Sequence, residues 1–152
     1  MLRERFNEAL KDAMRAGDKP VVSTIRMILA AVKDRDIAAR PSGNTGGIDD
    51  GQIVTVLHAM IKQRRESIEM YRQGGRQELV DKEAAEITAI ESFMPKQMSE
   101  DETKAAVEAV VKDVGAASIK DMGKVMVELR LRHAGMMDFA KAGPLVKQAL
   151  SQ

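Results

Sequence analysis

Apolar residues recur at steps of three and four residues along nearly the whole chain, first over residues 2–13 and again over residues 22–32. This spacing places an apolar stripe along one side of a helix. The branched run VVSTIRMILAAV, residues 21–32, has the spacing and length of a buried helix and lacks the alternation of a half-buried strand. We find no convincing strand, and we therefore predict an all-α fold.

Helix-breaking residues divide the first part of the chain. Gly17 is predicted to end the first helix, and Asp18 to cap the second. The segment RPSGNTGG, residues 40–47, is the clearest loop, and Asp49 or Asp50 is predicted to begin the third helix. Residues 74–75, both glycine, end that helix, so we predict a bundle of about four helices in this part.

The segment FMPKQMSEDE, residues 93–102, is predicted to be a hinge. Pro95 stops the fourth helix, and Ser99 with Glu102 three residues later has the pattern of a capping box for the next one. The prediction is therefore an N-terminal helical subdomain over residues 1–96. A smaller three-helix subdomain follows over residues 97–152.

Three positions in the later helices carry further predictions. Ser118 is expected to cap the sixth helix and Asp138 to begin the last one. Pro144 lies close after Asp138 and should kink that last helix or delay its start.

The fourth helix is expected to separate apolar from charged residues. Its predicted inward positions are Val80, Ala84, Ile87, Ile90 and Met94. Its carboxylates are placed on a solvated face, where Lys82 and Glu86 have the i,i+4 spacing of an ion pair.

Composition excludes several function classes. The chain has 152 residues, 44% of them hydrophobic and 31% charged, with a net charge of +1, which argues against a strongly basic protein of the histone kind. It has no cysteine, and its two histidines are too far apart in sequence to suggest a metal site. No apolar run has the length of a signal peptide or membrane span, so we expect a cytoplasmic bacterial protein without a metal or cofactor.

No catalytic residue is predicted. The serines lie in helical or capping positions without a strand-to-helix elbow. The segment GAASIKDMGK, residues 115–124, ends in Gly-Lys but lacks the glycine spacing, the following serine or threonine, and the preceding strand of a phosphate-binding loop. The carboxylates of the fourth helix are interpreted as a solvated face.

The basic stretch MIKQRRESIEMYRQGGR, residues 60–76, is interpreted mainly as a scaffold helix. Lys62–Glu66 and Arg65–Glu69 have the spacing of i,i+4 pairs, so much of the charge can be neutralised locally. Arg64 falls on the apolar stripe, where it either extends its charged end to water or forms an ion pair between helices.

The C-terminal part is a stronger candidate for anion binding. From residue 119 onward six basic residues stand against three acidic ones. The predicted phosphate-contacting residues are Lys120, Lys124, Arg130, Arg132, Lys141 and Lys147. With one tyrosine and no tryptophan in the chain, base stacking is disfavoured, and recognition of folded RNA by shape and phosphate fits better. Arg72 and Arg76 form a weaker second patch.

Four segments resemble the GatB/YqeY family, and the resemblance runs across essentially the whole chain. The segments are STIRMILAAVKDRDI, MIKQRRESIEMYRQGGRQELVDKEAAEI, FMPKQMSEDE and GAASIKDMGKVM. The resemblance implies a free-standing YqeY-like protein with an all-α fold of two helical subdomains.

The same domain is similar to the tail of the GatB subunit of tRNA-dependent amidotransferases, glutamine-dependent carbon–nitrogen ligases that convert misacylated tRNA. In those enzymes the tail helps to hold tRNA while other parts carry out the chemistry. The resemblance therefore implies an association with amidotransferase function, with tRNA and amidotransferase subunits as expected partners and no catalytic site in this chain.

Two hypotheses follow. The first is a tRNA-binding accessory module that uses the C-terminal basic residues. The second is a helical adaptor that binds another protein through an apolar face, for which the eleven methionines would provide an adaptable surface.

Overall fold

The computed structural model describes residues 1–151, and within them it contains α-helices and short 3-10 helices but no strand. The α-helices of this range are α1 (Leu2–Ala16), α2 (Lys19–Ala39), α3 (Asp50–Gln73), α4 (Gln77–Glu91), α5 (Glu100–Asp113), α6 (Met122–His133) and α7 (Phe139–Leu150). The predicted all-α fold is thus confirmed. Two 3-10 helices, Arg40–Ser42 and Ile119–Asp121, precede α3 and α6 respectively.

The chain forms two compact units, Met1–Met94 with α1–α4 and Pro95–Gln152 with α5–α7. We call them unit 1 and unit 2. Each has its own cluster of buried apolar side chains. The use of residues 1–96 and 97–152 as separate functional modules stays a prediction.

Most helix ends lie where local signals place them. The prediction that Ser118 caps the sixth helix is wrong, because Ser118 precedes the 3-10 helix Ile119–Asp121 and Asp121 holds the N-cap position of α6. Gly17 ends α1 with φ of 69°, and the Asp18 carboxylate accepts a hydrogen bond from Val21 N at 3.3 Å at the start of α2. At the start of α5, Ser99 Oγ accepts from Glu102 N at 3.1 Å, and the Glu102 carboxylate accepts from Ser99 N at 2.8 Å. Such reciprocal caps satisfy backbone N–H groups that the helix itself leaves unpaired.

The core of unit 1 gathers one face from each of its four helices. The fully buried side chains include Phe6 on α1, Ile25 on α2, Leu57 on α3 and Ile90 on α4. Phe6 also meets Phe93 edge to face, with ring centroids 4.9 Å apart, which is a favourable geometry for two aromatic rings.

A buried ion pair joins α3 to α4 inside unit 1. Arg64 Nε lies 3.0 Å from Glu86 Oε2, and only 10% and 13% of the two side chains are exposed. Arg64 Nη1 also donates to Met60 O at 3.1 Å, and Nη2 lies 3.5 Å from Met27 Sδ. Of the two arrangements predicted for Arg64, the pair between helices is therefore the one that forms.

Two predictions for α4 are wrong. Ala84, expected to face the core, is exposed. Glu86, expected on a solvated face beside Lys82, is largely buried and pairs with Arg64. The apolar stripe of α4 is narrower than predicted, because Glu86 lies on the side of the helix that faces α3.

The carboxylate of Asp36 holds the end of the loop between α2 and α3 by hydrogen bonds. Its carboxylate accepts from Arg3 Nη1 at 2.9 Å and Arg3 Nη2 at 2.7 Å, and its Oδ1 accepts from Ile48 N at 2.8 Å. Arg3 Nη2 also donates to Ile48 O at 2.9 Å. These hydrogen bonds tie the first turn of α1, the last part of α2 and the end of the loop together.

Neither of the two i,i+4 ion pairs predicted along α3 forms. Arg65 lies 3.5 Å from Glu91 of α4 instead of pairing with Glu69, whose carboxylate is 3.6 Å from Arg72. Among residues 1–151, Lys62 has no carboxylate within 4 Å, so the predicted Lys62–Glu66 pair is also wrong.

Unit 2 packs α5, α6 and α7 around a smaller core. Val107 and Val110 of α5, Val125 and Leu129 of α6 and Val146 of α7 are almost fully buried.

Pro144 does not delay the start of the last helix, α7. The Asp138 carboxylate caps α7 by accepting from Ala140 N at 3.0 Å. The helix starts at Phe139 and continues through Pro144, so the predicted delay of its start is wrong.

None of the helices within residues 1–151 is both long and apolar enough to cross a membrane.

Candidate nucleic-acid interface

The turn before α6 is held by the side chain of Asp121. Its Oδ2 accepts hydrogen bonds from Ala117 N at 2.9 Å and from Ser118 N at 3.4 Å. These backbone N–H groups lower the pKa of Asp121, and the nearby charge of Lys124 lowers it further. Asp121 therefore remains ionised at neutral pH and accepts both hydrogen bonds as a carboxylate.

Lys120 and Lys124 are the two predicted residues nearest to this turn. Lys120 lies in the 3-10 helix Ile119–Asp121, and Lys124 lies in the first turn of α6. Both are exposed, and neither has a carboxylate within 4 Å among the residues described. Their positive charges are consequently available to an anion in solvent.

Arg132 is different because two carboxylates hold it. Its Nη1 lies 2.7 Å from Asp113 Oδ2 of α5, and its Nε lies 2.7 Å from Glu128 Oε1 one turn earlier. The hydrogen bonds to Asp113 and Glu128 raise the pKa of Arg132. This guanidinium joins α6 to α5, and two of its five N–H donors are engaged by carboxylates of this chain.

Arg130 contacts the ring of Phe139 on α7. Its guanidinium carbon is 5.8 Å from the ring centroid, within the range of a cation–π contact. Phe139 is the first residue of α7, and the capping carboxylate of Asp138 lies directly before it. A negative charge at the start of α7 offsets the partial positive charge of that helix end, which makes it a poor position for a phosphate.

Lys141 and Lys147 are both exposed on α7 but do not share one side of it. Their separation of six residues places them about 120° apart around the helix axis. Neither has an ion-pair partner within the part of the chain that the structure describes. Of the six predicted residues, one arginine is thus bound to carboxylates of α5 and α6, one arginine lies over the Phe139 ring of α7, and the four lysines form no ion pair among the residues described.

Charge in unit 2 is divided between its helices. The α5 segment has five acidic and two basic residues, whereas the chain from residue 119 onward has the basic surplus. Three of the α5 acidic residues lie in its first turn. An anionic ligand is therefore attracted to the α6–α7 side of the unit and repelled from α5.

The outward side of α6 also has apolar residues that the sequence analysis did not single out. Val127 and Leu131 are 56% and 74% exposed. With Lys124 they follow i, i+3, i+7 spacing, which places the three on one face opposite the buried Val125 and Leu129. The signal was available in the sequence, because two apolar residues fall outside the stripe that faces the core.

The weaker second patch lies in unit 1. Arg72 is 3.6 Å from Glu69, and Arg76 is 2.6 Å from Glu78. Both arginines are exposed, and each has a local carboxylate beside it, so their net field is small.

Comparison with known proteins gives a match to one family model. The model is described as Yqey-like protein and matches residues 3–150, which is nearly the whole chain.

Curated relatives are similar over part of the chain. A protein of Eremothecium gossypii named altered inheritance of mitochondria protein 41, mitochondrial, is 34% identical over 89 residues, which are 59% of this chain and 46% of that protein. A protein of the same name from Pyrenophora tritici-repentis is 32% identical over 89 residues, with the same coverage. An uncharacterised protein of Schizosaccharomyces pombe is 28% identical over 98 residues, 64% of this chain and 76% of that protein.

The matches cover less than half of the two mitochondrial relatives. These relatives are fungal, and two are mitochondrial by name, so they do not support the expectation of a bacterial cytoplasmic protein. That expectation stays a prediction.

Proposed function

The chain belongs to the Yqey-like family, and from this membership and the charge of unit 2 we propose that it is a tRNA-binding accessory module. The observation that carries the proposal is that the four lysines between residues 119 and 151 are all exposed and without ion pairs, whereas α5 is acidic. Phosphate contacts of this kind supply sequence-independent affinity for RNA. Arg130 extends the same basic side.

The proposal separates the six basic residues by role. Lys120, Lys124, Lys141 and Lys147 bind phosphates directly. Arg130 contributes a cation held over Phe139, and Arg132 mainly supports α6 through Asp113.

The resemblance to the GatB tail adds a biochemical setting. In this setting the protein presents or retains tRNA beside a glutamine-dependent amidotransferase whose other subunits carry out the reaction. Adding the protein to such an enzyme should lower the KM for misacylated tRNA and leave kcat unchanged, because binding alone is improved. An unchanged KM would contradict the proposed association with an amidotransferase. It would not contradict tRNA binding, which is tested separately.

The deciding experiment compares two triple variants of the full chain for tRNA binding over a salt series. The test variant is Lys120→Glu/Lys124→Glu/Lys141→Glu. The matched control is Lys96→Glu/Lys104→Glu/Lys112→Glu, which reverses the same number of exposed charges within unit 2. We expect the test variant to lose salt-sensitive binding and the control to keep it, since log K falls by roughly 0.7–0.9 per phosphate contact for each decade of salt. Equal loss in both variants would refute the assignment of the surface, and no binding by the parent at low salt would refute the function.

A second function is favoured by the exposure of Val127 and Leu131. An apolar pair on an outward helix face suits an adaptor that binds a protein partner by helix packing. If this alternative holds, Leu131→Ser releases a partner whose association survives nuclease treatment. If tRNA binding holds, Leu131→Ser leaves tRNA affinity close to that of the parent.

A further inference from the structure

Unit 1 contains a groove that the proposed tRNA contacts do not use. It lies between the last turn of α1 and the first three turns of α2 and has a volume of about 600 Å³. The α2 side is formed by residues at steps of three and four positions: Lys19, Val22, Ser23, Arg26, Met27 and Ala30. The α1 side is formed by Ala13, Met14 and Gly17.

The floor of the groove is apolar, and small residues make it shallow. Ala13 and Ala30 leave room for side chains that approach from outside, and Gly17 has no side chain to block the end. Met14 stands at the border with 55% of its surface exposed, whereas Met27 is partly buried against the core. Methionine side chains adapt to the shape of a bound apolar group, which is a common property of surfaces that receive helices.

The charge of the groove has one sign. Lys19 and Arg26 line it, and no carboxylate does. Neither cation has an ion-pair partner within 4 Å among residues 1–151. The nearest acidic positions along the chain are already engaged, because Asp12 lies 3.4 Å from Arg15 and Asp18 caps α2.

The length of the groove matches a helical ligand. Its α2 side extends over about three helical turns, roughly 16 Å. A helix of this length places three apolar side chains, at i, i+4 and i+7, into a groove of this kind. Acidic residues beside those anchors would face Lys19 and Arg26.

We propose that this groove is the docking site for an acidic amphipathic helix of a partner protein. The inference does not rest on tRNA binding, since it concerns unit 1 and a different chemical class of ligand. Apolar anchors give the affinity, and the two cations select acidic flanks and reject basic ones.

The test uses a synthetic helical peptide of about fourteen residues with leucines at i, i+4 and i+7 and glutamates on both flanks. It is titrated into the ¹⁵N-labelled full chain, and amide shifts are followed by NMR. A second peptide has lysines in place of the glutamates. Protein variants are Arg26→Glu in the groove and Lys33→Glu as control, an exposed position of α2 outside the groove.

We expect the acidic peptide to shift the amides of Ala13, Gly17 and Ala30 and to leave unit 2 unchanged. Arg26→Glu should weaken this binding about tenfold and improve binding of the lysine peptide, while Lys33→Glu changes neither. The reciprocal gain separates a charge contact from misfolding of the variant.

Any of these results with the peptides would overturn the proposal: no groove shifts with the acidic peptide, equal binding of both peptides, or no effect of Arg26→Glu. Shifts of the same amides by tRNA alone would assign the groove to RNA and also overturn it. Loss of tRNA binding by unit 2 has no bearing on these outcomes, so the two proposals fail separately.

Discussion

Arg3 and Asp36 lie 33 positions apart in the chain, yet their side chains form a two-point contact with N–O distances of 2.9 and 2.7 Å. The same Asp36 carboxylate accepts from Ile48 N, so one side chain fixes a helix start and a loop end together. The hydrogen bond from Arg3 is the main reason that the pKa of Asp36 falls to about 2, and the one from Ile48 adds to it.

Asp36 should make unit 1 less stable at acidic pH. A carboxyl group with a lowered pKa in the folded state contributes stability above its unfolded pKa and loses it as pH falls through the folded value. For Asp36 this window extends from about pH 4 down to about pH 2. We expect Asp36→Asn to cost about 1–2 kcal/mol at neutral pH, because charge-assisted hydrogen bonds are lost.

Urea denaturation at several pH values checks this prediction. The difference in the free energy of unfolding between the parent and Asp36→Asn should become smaller as the pH falls from about 4 to about 2. Asp34→Asn is the control, since Asp34 is an exposed neighbour without an ion pair within the described residues. A difference that stays constant with pH would contradict the role given to Asp36.

The loop glycines should differ in their tolerance of alanine. Gly47 has φ of +95°, and an added Cβ would lie 2.8 Å from Arg3 Nη2. Gly43 has φ of +89° but open space around it, and Gly46 has neither constraint. Gly47→Ala should therefore destabilise most, Gly43→Ala by about 1–2 kcal/mol from the left-handed backbone alone, and Gly46→Ala least. Thermal unfolding of the three variants gives the order, and equal effects at Gly43 and Gly47 would show that Arg3 adjusts without cost.

The Arg64–Glu86 pair should behave as a coupled unit. Glu86→Gln leaves the Arg64 cation uncompensated inside the bundle and should cost about 3 kcal/mol. The double variant Arg64→Met/Glu86→Leu should recover most of this loss, because two apolar side chains of similar volume replace the pair. Denaturant unfolding of Arg64→Met, Glu86→Leu and the double variant measures the coupling, and additive losses would contradict it. Lys82→Gln serves as the control and should be nearly neutral.

Lys124 and Arg132 of unit 2 should differ in how much each contributes to the salt dependence of tRNA binding. Lys124→Gln should weaken tRNA binding and reduce the salt slope by about one. Arg132→Gln should leave the slope nearly unchanged and lower stability instead, because Asp113 and Glu128 lose their partner. Filter binding across salt concentrations, with chemical denaturation beside it, distinguishes the two effects. A loss of slope with Arg132→Gln equal to that with Lys124→Gln would mean that the arginine turns toward RNA.

Most helix boundaries were predictable because the signals that set them are local. The capping pair Ser99 and Glu102 is three residues apart, and Gly17 ends α1 by its own backbone freedom. The partner of Arg64 was not predictable in this way. Glu86 lies 22 positions away, and its local spacing to Lys82 suggested a different pair.

The candidate nucleic-acid interface was also predictable only in part, because some of its contacts join residues that are distant in sequence. Counting charges predicted a basic surplus after residue 119, but a count does not tell free cations from engaged ones. Arg132 is engaged because α5 brings Asp113 within 2.7 Å, a contact that depends on packing between helices. The exposed Leu131 could have been recognised from its position outside the buried stripe of α6.

The separation of the buried residues into two clusters has a spectroscopic consequence. The chain has one tyrosine and no tryptophan, and Tyr71 lies on α3 in unit 1. Tyrosine emission therefore follows the opening of unit 1 alone, whereas far-ultraviolet circular dichroism follows the helices of both units. A unit of roughly 60 residues buries a small share of its surface and is marginally stable, so unit 2 can melt at a temperature where Tyr71 reports no change. The two signals then trace different midpoints, and no single Tm describes the molecule.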